Sequence, residues 1–391
     1  MEIITRFCNP PEFQSFFLFG PRGTGKTQFL KQKYPDAIFV NLLLPSEFAK
    51  FSARPEALLP LIEAGLQNRP FLRVVIDEVQ KVPGILNVVH HLLEEKNGTK
   101  IQFILTGSSS RKLKHSGADL LAGRALMLKF SPFTAAELGS YWDLKKAMNI
   151  GMLPVVWAAE DPDGALRSYI GTYLREEVLQ ERLVRNLESF ARFLEMMSFS
   201  QGSPLNISSV AREAHVQQKT AEGYVELIED LLIGTRVPVF KKKAKRELSS
   251  HSKFYYFDAG IYKSLRPIGP LDDPQGMGGA ILETLVYQHL QAWIQLQDPS
   301  LSLYFWRTRS DVEVDFVVYG ASAFFAVEVK NSDRIRMEDL KGLRTFGEDY
   351  PNARKVFLYR GEKSEIHHGI ECIPAEKFLR SLGDRSQNWS T

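Results

Sequence analysis

Short apolar runs separated by longer stretches of helical pattern mark the first 140 residues. The runs are "SFFLF", "RVVID", "QFILTG" and "ALMLKF". Uninterrupted apolar runs of this length are typical of strands that are buried on both faces of a sheet. Because the stretches between them favour helices, the pattern predicts an α/β domain built on a parallel sheet.

The middle of the chain has a helical pattern instead. From about Leu153 to Leu194, apolar residues recur at helical spacing with charges between them, which predicts a helical lid. From "ISSVAREAH" onward the sequence predicts a short helix, a turn at His215 to Gln218 and a second amphipathic helix from about Lys219. This is helix-turn-helix spacing, and the strand-like run "KFYYFD" further on predicts a winged helix.

The last quarter of the chain predicts a second α/β arrangement. The stretch "GGAILETLVYQHLQAWI" is amphipathic and predicts a helix, and "VEVDFVVYG" and "FFAVEVKNS" predict two strands after it. The chain therefore divides into four predicted parts, which are an α/β core at residues 1–140, a helical lid at 141–190, a winged-helix-like domain at 191–268 and a second α/β domain at 269–391.

A glycine-rich turn follows the first apolar run and carries the first candidate chemistry. Gly20, Gly25, Lys26 and Thr27 fit the spacing G-x-x-x-x-G-K-[ST] between a predicted strand and a predicted helix. Backbone N–H groups of such a P-loop surround phosphates, the lysine reaches the β and γ oxygens, and the threonine hydroxyl ligates Mg²⁺. The predicted nucleotide-binding residues are Gly20, Pro21, Arg22, Gly23, Thr24, Gly25, Lys26, Thr27 and Gln28.

An acidic pair, Asp77 and Glu78, ends the apolar run "RVVID". Asp77 is predicted to hold Mg²⁺ from its outer shell, and Glu78 to orient and polarise the attacking water. An Asp-Glu pair after a strand can also simply cap a helix. Together with the P-loop, the pair favours phosphoryl transfer to water, since a kinase would not need Glu78.

Three further polar residues are predicted to lie near the γ-phosphate. Thr106 and Ser108 end the run "QFILTG" and are sensor candidates if this strand is inserted between the P-loop strand and the acidic strand; the alternative is a solvated turn. Arg124 directly precedes the last run, where oligomeric ATPases often carry an arginine finger; the alternative is a helix-terminal arginine. The predicted catalytic set is Lys26, Glu78, Thr106, Ser108 and Arg124.

Several segments of the chain resemble one protein family. "IDEVQKVPGIL", "FILTGSSSRKL" and "LLAGRALMLKFSPFTAAEL" resemble the prokaryotic AAA-type ATPases whose C-terminal half is a domain of unknown function, and "FYYFDAGIY" and "YFWRTRSDVEVDFVV" continue the resemblance downstream. The resemblance implies ATP and Mg²⁺ as cofactors and a five-stranded parallel P-loop NTPase sheet of order 5-1-4-3-2. It supplies no biological role, and it supports Lys26, Thr27, Asp77, Glu78 and Arg124 position by position.

A basic run, "KKKAKR", lies where the hairpin of a winged helix would project. Cations at this density can contact a nucleic-acid backbone. Winged helices also dock proteins, and glutamates on the second helix would repel phosphates, so DNA, RNA and protein partners all stay open. The candidate nucleic-acid contacts are Lys241, Lys242, Lys243, Lys245 and Arg246.

Acidic residues in the last quarter follow the layout of the PD-(D/E)xK nuclease fold. The predicted helix carries Glu283 one turn from its start, one strand carries Asp315, and the next carries Glu328 followed by Lys330. In that fold the carboxylates hold Mg²⁺ and the lysine positions water. The alternative is a salt-bridged strand pair in a fold that has lost cutting activity. The family usually has glycine at the position of Asp311, where an extra carboxylate can alter the turn or the metal affinity.

Bulk composition narrows the class of protein only slightly. Hydrophobic content of 44% and charged content of 24% are ordinary for a globular protein, and 391 residues predict several domains. A net charge of +3 gives no global case for nucleic-acid binding. The two cysteines lack metal-ligand spacing, which favours the reducing cytoplasm, and no apolar stretch predicts a membrane span.

Three functional hypotheses follow from these patterns. The favoured one is an AAA-type ATPase that hydrolyses Mg·ATP to drive a conformational switch acting on a nucleic-acid or protein partner. The others are an ATP-gated DNA- or RNA-binding nuclease and an ATP-binding scaffold that does not hydrolyse. Arg124 acting in trans would require an ATP-dependent homo-oligomer, so the oligomeric state stays open.

Overall fold

The computed structural model describes residues 4–67, 69–94, 100–108, 121–174, 186–242, 246–270, 273–383 and 389. Contacts within the chain divide it into two compact units. The N-terminal unit consists of residues 8–131 with 230–232, and the C-terminal unit consists of residues 1–7, 132–229 and 233–391. In the described part of the chain, no helix is both long enough and apolar enough to span a membrane.

The N-terminal unit is built on a five-stranded parallel sheet. The strands lie in the order β2-β3-β4-β1-β5, which is the predicted order 5-1-4-3-2 counted from the other edge. The strand carrying Thr106 is inserted between the P-loop strand and the acidic strand, as predicted. The strands are β1 Ser15–Phe19, β2 Ile38–Asn41, β3 Leu72–Asp77, β4 Ile101–Gly107 and β5 Ala125–Lys129.

Helices cover both faces of this sheet, which explains why its strands are apolar without alternation. Phe17 and Phe19 face one buried cluster, and Phe16 and Leu18 face the other. Helix α1 packs into the second cluster, and α2 to α4 pack into the first. The helices are α1 Lys26–Lys33, α2 Pro45–Ala53, α3 Leu58–Leu66 and α4 Ile85–Glu94.

The C-terminal unit begins with short helices, in agreement with the predicted helical pattern. Side chains cap several of them: Thr134 accepts from the backbone N–H of Glu137, and Asp161 accepts from that of Gly164. The helices are α5 Ala135–Leu138, α6 Leu144–Ile150, α7 Pro154–Trp157 and α8 Pro162–Ser168, and a π-helical turn follows at Tyr169–Leu174.

The next segment contains the predicted helix-turn-helix spacing. His215 has a positive φ of 55°, and this residue allows the chain to turn between two helices. Three short strands form an antiparallel sheet of order β6-β8-β7. The elements in chain order are α9 Leu187–Ser198, β6 Ser203–Pro204, α10 Ile207–Glu213, α11 Gln218–Asp230, β7 Gly234–Val237 and β8 Lys253–Tyr256.

A six-stranded mixed sheet completes the C-terminal unit, in the order β13-β14-β12-β11-β10-β9. Strands β9, β10 and β11 are antiparallel neighbours, and β11, β12 and β14 are parallel. The elements in chain order are α12 Ala259–Leu265, α13 Pro274–Gln297, β9 Ser302–Arg307, β10 Glu313–Tyr319, β11 Phe324–Val329, α14 Lys341–Asp349, β12 Arg354–Tyr359, β13 Glu365–His367, β14 Ile370–Pro374 and α15 Ala375–Ser381.

The start of helix α13 differs from the prediction. The helix begins at Pro274, with the Asp273 side chain accepting hydrogen bonds from the backbone N–H groups of Gln275 and Gly276. Glu283 therefore lies in the third turn of the helix and not one turn from its start. A capping aspartate followed by proline starts the helix despite the glycines that come after it.

The described flanks of the basic run pair with a strand of the six-stranded sheet. The backbone N–H of Phe240 donates to the carbonyl of Phe305 at 2.7 Å, and that of Ser249 donates to the carbonyl of Arg307 at 3.0 Å. The flanks of the run thus pair with β9, which lies at the edge of the six-stranded sheet. An open strand edge offers unpaired N–H and C=O groups, and pairing with the flanks satisfies them.

Candidate functional site

Glycines shape the loop between β1 and α1. Gly23 and Gly25 have φ values of 80° and 88°, a left-handed conformation that favours glycine. A Cβ atom on Gly20 would lie 2.3 Å from the carbonyl oxygen of Phe130, so a side chain there would clash with backbone. The predicted P-loop therefore has a backbone that its glycines make possible.

Lys26 folds back onto this loop and is only 5% exposed. Its Nζ donates to the carbonyl oxygens of Gly20 at 2.6 Å and Pro21 at 3.1 Å. The Thr24 hydroxyl also donates to the Pro21 carbonyl, at 2.8 Å. The ammonium group thus lies within the loop, bound to neutral oxygens that phosphate oxygens can replace. The side chains of two other predicted loop residues, Arg22 and Gln28, are exposed.

Asp77 links the P-loop helix to the neighbouring strand. It is 1% exposed, and its Oδ2 accepts from the Thr27 hydroxyl at 2.8 Å. Its other oxygen, Oδ1, accepts from the Thr106 hydroxyl. The two predicted Mg²⁺ ligands are therefore in direct contact, and both present hard oxygen donors of the kind that Mg²⁺ prefers.

Glu78 follows Asp77 in a left-handed conformation with φ 60° and ψ 49°. Its backbone N–H donates to the Thr106 hydroxyl at 3.1 Å. The Gln80 side-chain amide donates to the Glu78 carboxylate at 2.5 Å. It also donates to the Ser108 hydroxyl at 3.1 Å. A non-glycine residue in this region of φ/ψ space stores strain, which is common where a side chain must be aimed.

The contacts of Gln80 were not foreseen in the sequence. A Cβ atom on Gly107 would lie 2.6 Å from the Gln80 Oε1 atom, so the glycine at the end of β4 makes room for this amide. The sequence signal for this contact is the presence of a glutamine, Gln80, two positions after Glu78. Gln80, Thr106 and Ser108 together surround the acidic pair at the carboxyl end of the sheet.

Arg124 lies at the start of β5 and contacts helix α4. Its Nη2 atom is 2.7 Å from Glu94 Oε1, and its Nη1 atom is 3.1 Å from His90 Nε2. The guanidinium is 38% exposed. In this structure it pairs with a carboxylate of its own unit, so a role as a finger for a neighbouring subunit requires that pair to open.

A second group of acids lies in the C-terminal unit, and we call Glu283, Glu313, Asp315 and Glu328 the acidic cluster. Helix α13 supplies the first of them, β10 the next two, and β11 the last. Lys253 of β8 is fully buried, at 0% exposure, and its ammonium lies among the first three. The Lys253 Nζ atom is 3.2 Å from Glu283, 2.5 Å from Glu313 and 3.1 Å from Asp315.

Other donors reach the same carboxylates. The Tyr255 hydroxyl donates to Glu283 Oε1 at 2.5 Å, and the Val329 backbone N–H donates to Asp315 Oδ2 at 2.9 Å. Lys330 pairs with Glu328 Oε1 at 2.7 Å. The Glu328 Oε2 atom is buried and has no hydrogen-bond partner among the described residues. The four residues predicted for a nuclease-like site are thus brought together, with Lys253 as an addition that the sequence reasoning missed.

Burial and charge shift the pKa values in this cluster. Burial raises the pKa of Glu283 to about 7, with Asp315 adding to the effect and Lys253 opposing it. Burial also raises the pKa of Glu328 well above its ordinary value. Burial by itself would lower the pKa of Lys253, but its carboxylate neighbours, Glu283 foremost, raise it well above the usual range. Lys253 is therefore a charged ammonium at neutral pH.

No group of three or more His, Cys, Asp or Glu residues in the described ranges is arranged to hold a metal ion. Asp311 is also separate from the acidic cluster. It adopts φ 60° in the turn before β10, a conformation that suits the glycine usual in the family, and its carboxylate pairs with Arg307 at 2.9 Å. The extra carboxylate thus binds an arginine of β9 and adds no ligand to the cluster.

The basic run is partly engaged within its own unit. Arg246 pairs with Glu348 at 2.6 Å and with Asp349 at 3.0 Å, and the Lys242 ammonium lies 4.4 Å from the centroid of the Tyr319 ring. Lys241 is exposed. Lys243 and Lys245 lie outside the described residues.

Protein-family models match three consecutive parts of the chain. Residues 12–139 match an AAA domain, residues 141–272 match a domain of unknown function (DUF8612), and residues 278–378 match a domain of unknown function (DUF4143). An uncharacterized protein of Mycobacterium tuberculosis is 26% identical over 374 residues, covering 93% of this chain and 80% of its own. One of Methanocaldococcus jannaschii is 23% identical over 405 residues, covering 92% and 87%.

Two solved structures are similar to part of this chain. The Thermotoga maritima RuvB Holliday junction branch migration motor has a TM-score of 0.28 and 17% identity, covering 57% of this chain and 82% of its own. Caenorhabditis elegans PCH-2 has a TM-score of 0.25 and 14% identity, covering 56% and 61%.

The parallel sheet, the P-loop and the acidic strand define a P-loop protein of the AAA type. The match of residues 12–139 to an AAA domain and of residues 278–378 to DUF4143 agrees with the sequence resemblance.

Proposed function

We propose that this protein hydrolyses Mg·ATP at the carboxyl end of the N-terminal sheet. The observation that carries the proposal is the direct hydrogen bond between Thr27 and Asp77, with Glu78 next in the chain. A P-loop alone would serve a kinase or a GTPase equally well. A second acidic residue beside the metal-binding aspartate is the group that phosphoryl transfer to water requires.

Each residue of the site has a chemical role in this proposal. The Lys26 ammonium releases the carbonyl oxygens of the loop and donates to the β- and γ-phosphate oxygens instead. Mg²⁺ would be held by Thr27 and Asp77 and would offset the charge of the phosphates. Glu78 takes the proton of the attacking water, and Gln80 orients the Glu78 carboxylate from 2.5 Å.

Three more residues assist this chemistry. The Thr106 hydroxyl holds Asp77 in place, while its oxygen accepts from the Glu78 backbone N–H. Ser108 lies beside Gln80 and reports on the γ-phosphate through it. Arg124 leaves Glu94 when a second subunit binds and then stabilises charge on that subunit's nucleotide.

The test replaces Glu78 by glutamine. Glu78→Gln should bind ATP with an affinity within about twofold of wild type, while turnover falls by roughly 10²- to 10⁴-fold because the general base is lost. Glu63→Gln, at an exposed glutamate of α3, is the matched control and should hydrolyse ATP normally. Unchanged hydrolysis in Glu78→Gln would overturn the assignment, and absence of turnover in wild type would favour a scaffold that only binds ATP.

We further propose that residues 141–268, a helical part followed by a winged-helix-like part, pass the nucleotide state to a nucleic-acid or protein partner. The support is the order of α9, β6, α10, α11, β7 and β8, in which two helices joined by a tight turn precede an antiparallel strand pair. The exposed Lys241 and Lys242 favour a nucleic-acid partner.

Binding of labelled DNA and RNA, measured by fluorescence anisotropy with and without ATP, tests this output. The variant Lys241→Ala/Lys242→Ala should weaken binding and reduce the salt slope by about two. Lys363→Ala, a change at another exposed lysine, is the control. Equal binding by all variants would remove the basic run from the proposal, and absence of binding would leave a protein partner. Mass in solution, with and without ATP, tests assembly through Arg124.

A further inference from the structure

The acidic cluster already contains a cation. A lysine ammonium has three N–H donors, and the structure gives Lys253 three carboxylate partners within 3.2 Å: Glu283, Glu313 and Asp315. The Phe305 ring, 5.5 Å from the ammonium, also faces it. A charge can be fully buried at tolerable cost only when it is paired and hydrogen-bonded in this way.

The carboxylate oxygens that a divalent ion would need are also engaged. Asp315 accepts from Lys253 through Oδ1 and from the Val329 backbone N–H through Oδ2. Glu313 accepts from Lys253 through Oε1 and from Arg307 through Oε2, at 3.0 Å. A metal ion entering here would have to displace an ammonium, a backbone N–H and a guanidinium.

One acceptor in the cluster is different. The Glu328 Oε2 atom is buried, lacks a hydrogen-bond partner among the described residues, and belongs to a side chain that is 8% exposed. Its other oxygen is bound to Lys330 at 2.7 Å. Glu328 therefore keeps one buried oxygen without a donor among the described residues, whereas the other three acids of the cluster are paired with Lys253.

We propose that Lys253 takes the place of a divalent metal ion in the acidic cluster, so that this nuclease-like set of residues is a metal-independent lock between β8 and the α13–β10 pair. The lock joins strand β8 of the three-stranded sheet to a helix and a strand of the six-stranded part. The wild-type cluster binds no catalytic metal and cuts no nucleic acid. Removing the ammonium converts it into a divalent-cation site.

The experiment compares wild type with Lys253→Met, which keeps a long side chain and removes the charge. In nucleotide-free protein, Mn²⁺ or Ca²⁺ at millimolar concentration should leave the wild-type melting temperature unchanged. It should raise that of Lys253→Met by about 5 °C or more, since a bound ion stabilises only the folded state. Lys330→Met, which removes a nearby ammonium and retains Lys253, is the matched control and should gain no such response.

The double variant Lys253→Met/Asp315→Asn should lose the response, which locates the ion in the cluster. If Lys253→Met does not fold even with Mn²⁺ present, Lys253→Met/Glu283→Gln carries less uncompensated charge and replaces it in the comparison. A variant that folds and melts at the same temperature with and without the ions would overturn the proposal.

Wild type supplies an independent test that does not require the removal of Lys253. Isothermal titration of the nucleotide-free protein with Mn²⁺ should detect no binding that depends on Asp315. A wild-type Mn²⁺ site, or metal-dependent DNA or RNA cleavage, that disappears in Asp315→Asn would overturn the proposal. These outcomes do not depend on ATP hydrolysis.

Discussion

Lys26 and Lys253 are both nearly fully buried, at 5% and 0% exposure, but their ammonium groups meet different partners. Lys26 donates to the carbonyl oxygens of Gly20 and Pro21, whereas Lys253 lies among three carboxylates. A phosphate oxygen can replace a carbonyl without leaving a buried charge unpaired. A buried carboxylate that loses its ammonium partner is left as an unpaired charge, which costs about 3 to 5 kcal/mol.

The acids of the two sites show the same contrast. Asp77 accepts from the hydroxyls of Thr27 and Thr106, which are neutral and can also ligate or release a cation. Asp315 accepts from an ammonium and a backbone N–H. Equivalent residue types thus form a site that can bind an added cation in one unit. In the other unit they form a cluster around the protein's own lysine ammonium. The hydrogen-bond partners of each aspartate therefore determine whether it can bind a ligand or has a structural role.

The largest expected effect is on folding. In the presence of a chelator, Lys253→Met should lower the free energy of unfolding by about 3 to 5 kcal/mol, because it leaves buried carboxylates without their cation. Chemical denaturation of the C-terminal unit measures the loss. Arg309→Met, at an exposed ion pair with Glu247, should cost less than about 1 kcal/mol. A loss that small for Lys253→Met would remove the contrast between the lysines.

The buried His289 of α13 makes stability depend on pH and so extends the comparison of the two buried lysines. Its Nε2 accepts from the Ala135 backbone N–H at 2.9 Å, and burial lowers its pKa from 6.5 to about 4. Above pH 6.5 the histidine is neutral in both states. As the pH falls towards 4 the unfolded chain alone takes the proton, which removes about 3 kcal/mol of stability.

Denaturation curves between pH 7 and pH 4 measure this effect. His289→Gln can still accept the Ala135 hydrogen bond and does not titrate, so its stability should fall less steeply over that range. Parallel pH profiles for the two proteins would contradict the prediction. Protonation of Lys253 should add no pH dependence over this range, since its raised pKa keeps it charged in both states.

For Lys26, the expected effect is on binding. Lys26→Ala should weaken ATP affinity by about 100-fold, equivalent to about 2.7 kcal/mol, because the ammonium no longer meets the β- and γ-phosphates. Loss of its hydrogen bonds to the Gly20 and Pro21 carbonyls should change the folding free energy by about 1 kcal/mol. Titration with a fluorescent ATP analogue measures the affinity. Lys31→Ala, at an exposed position of α1, is the control, and equal affinity in both variants would contradict the role of Lys26.

Smaller effects are expected at Thr106 and Ser108. Thr106→Val keeps the shape of the side chain but removes the hydroxyl that binds Asp77 and the Glu78 backbone N–H. Turnover at saturating ATP should fall by about tenfold, as is typical when a supporting hydrogen bond to a metal-binding group is lost. Ser108→Ala removes a hydrogen-bond acceptor of Gln80 and should have a smaller effect. A larger loss for Ser108→Ala would reverse this ranking.

The N-terminal site could be predicted from the sequence to a large extent because its main elements are local. The P-loop depends on neighbouring residues, Gly20 to Thr27, and glycines occupy the positions in it that have a positive φ. The apolar runs predicted the strands, and the family resemblance predicted their order, which the structure confirms. The amide of Gln80 was missed because its role depends on Glu78 and Ser108, which lie on different strand ends.

Predictions for the C-terminal unit were less complete where long-range contacts decide the structure. The start of α13 was placed too late because the glycines after Pro274 obscured the Asp273 cap. The flanks of the basic run pair with β9, and Arg246 binds Asp349, which is 103 residues away. Neither contact leaves a local pattern in the sequence.

The sequence by itself determined the strands, the P-loop and the acidic residues of both sites, because apolar periodicity and backbone preference act between near neighbours. Only the tertiary structure decided that Lys253 lies among acids that are 30 and 62 residues away. The charge state of a buried group and its freedom to bind a ligand depend on the distance and charge of its partners. Those distances exist only once the chain has folded.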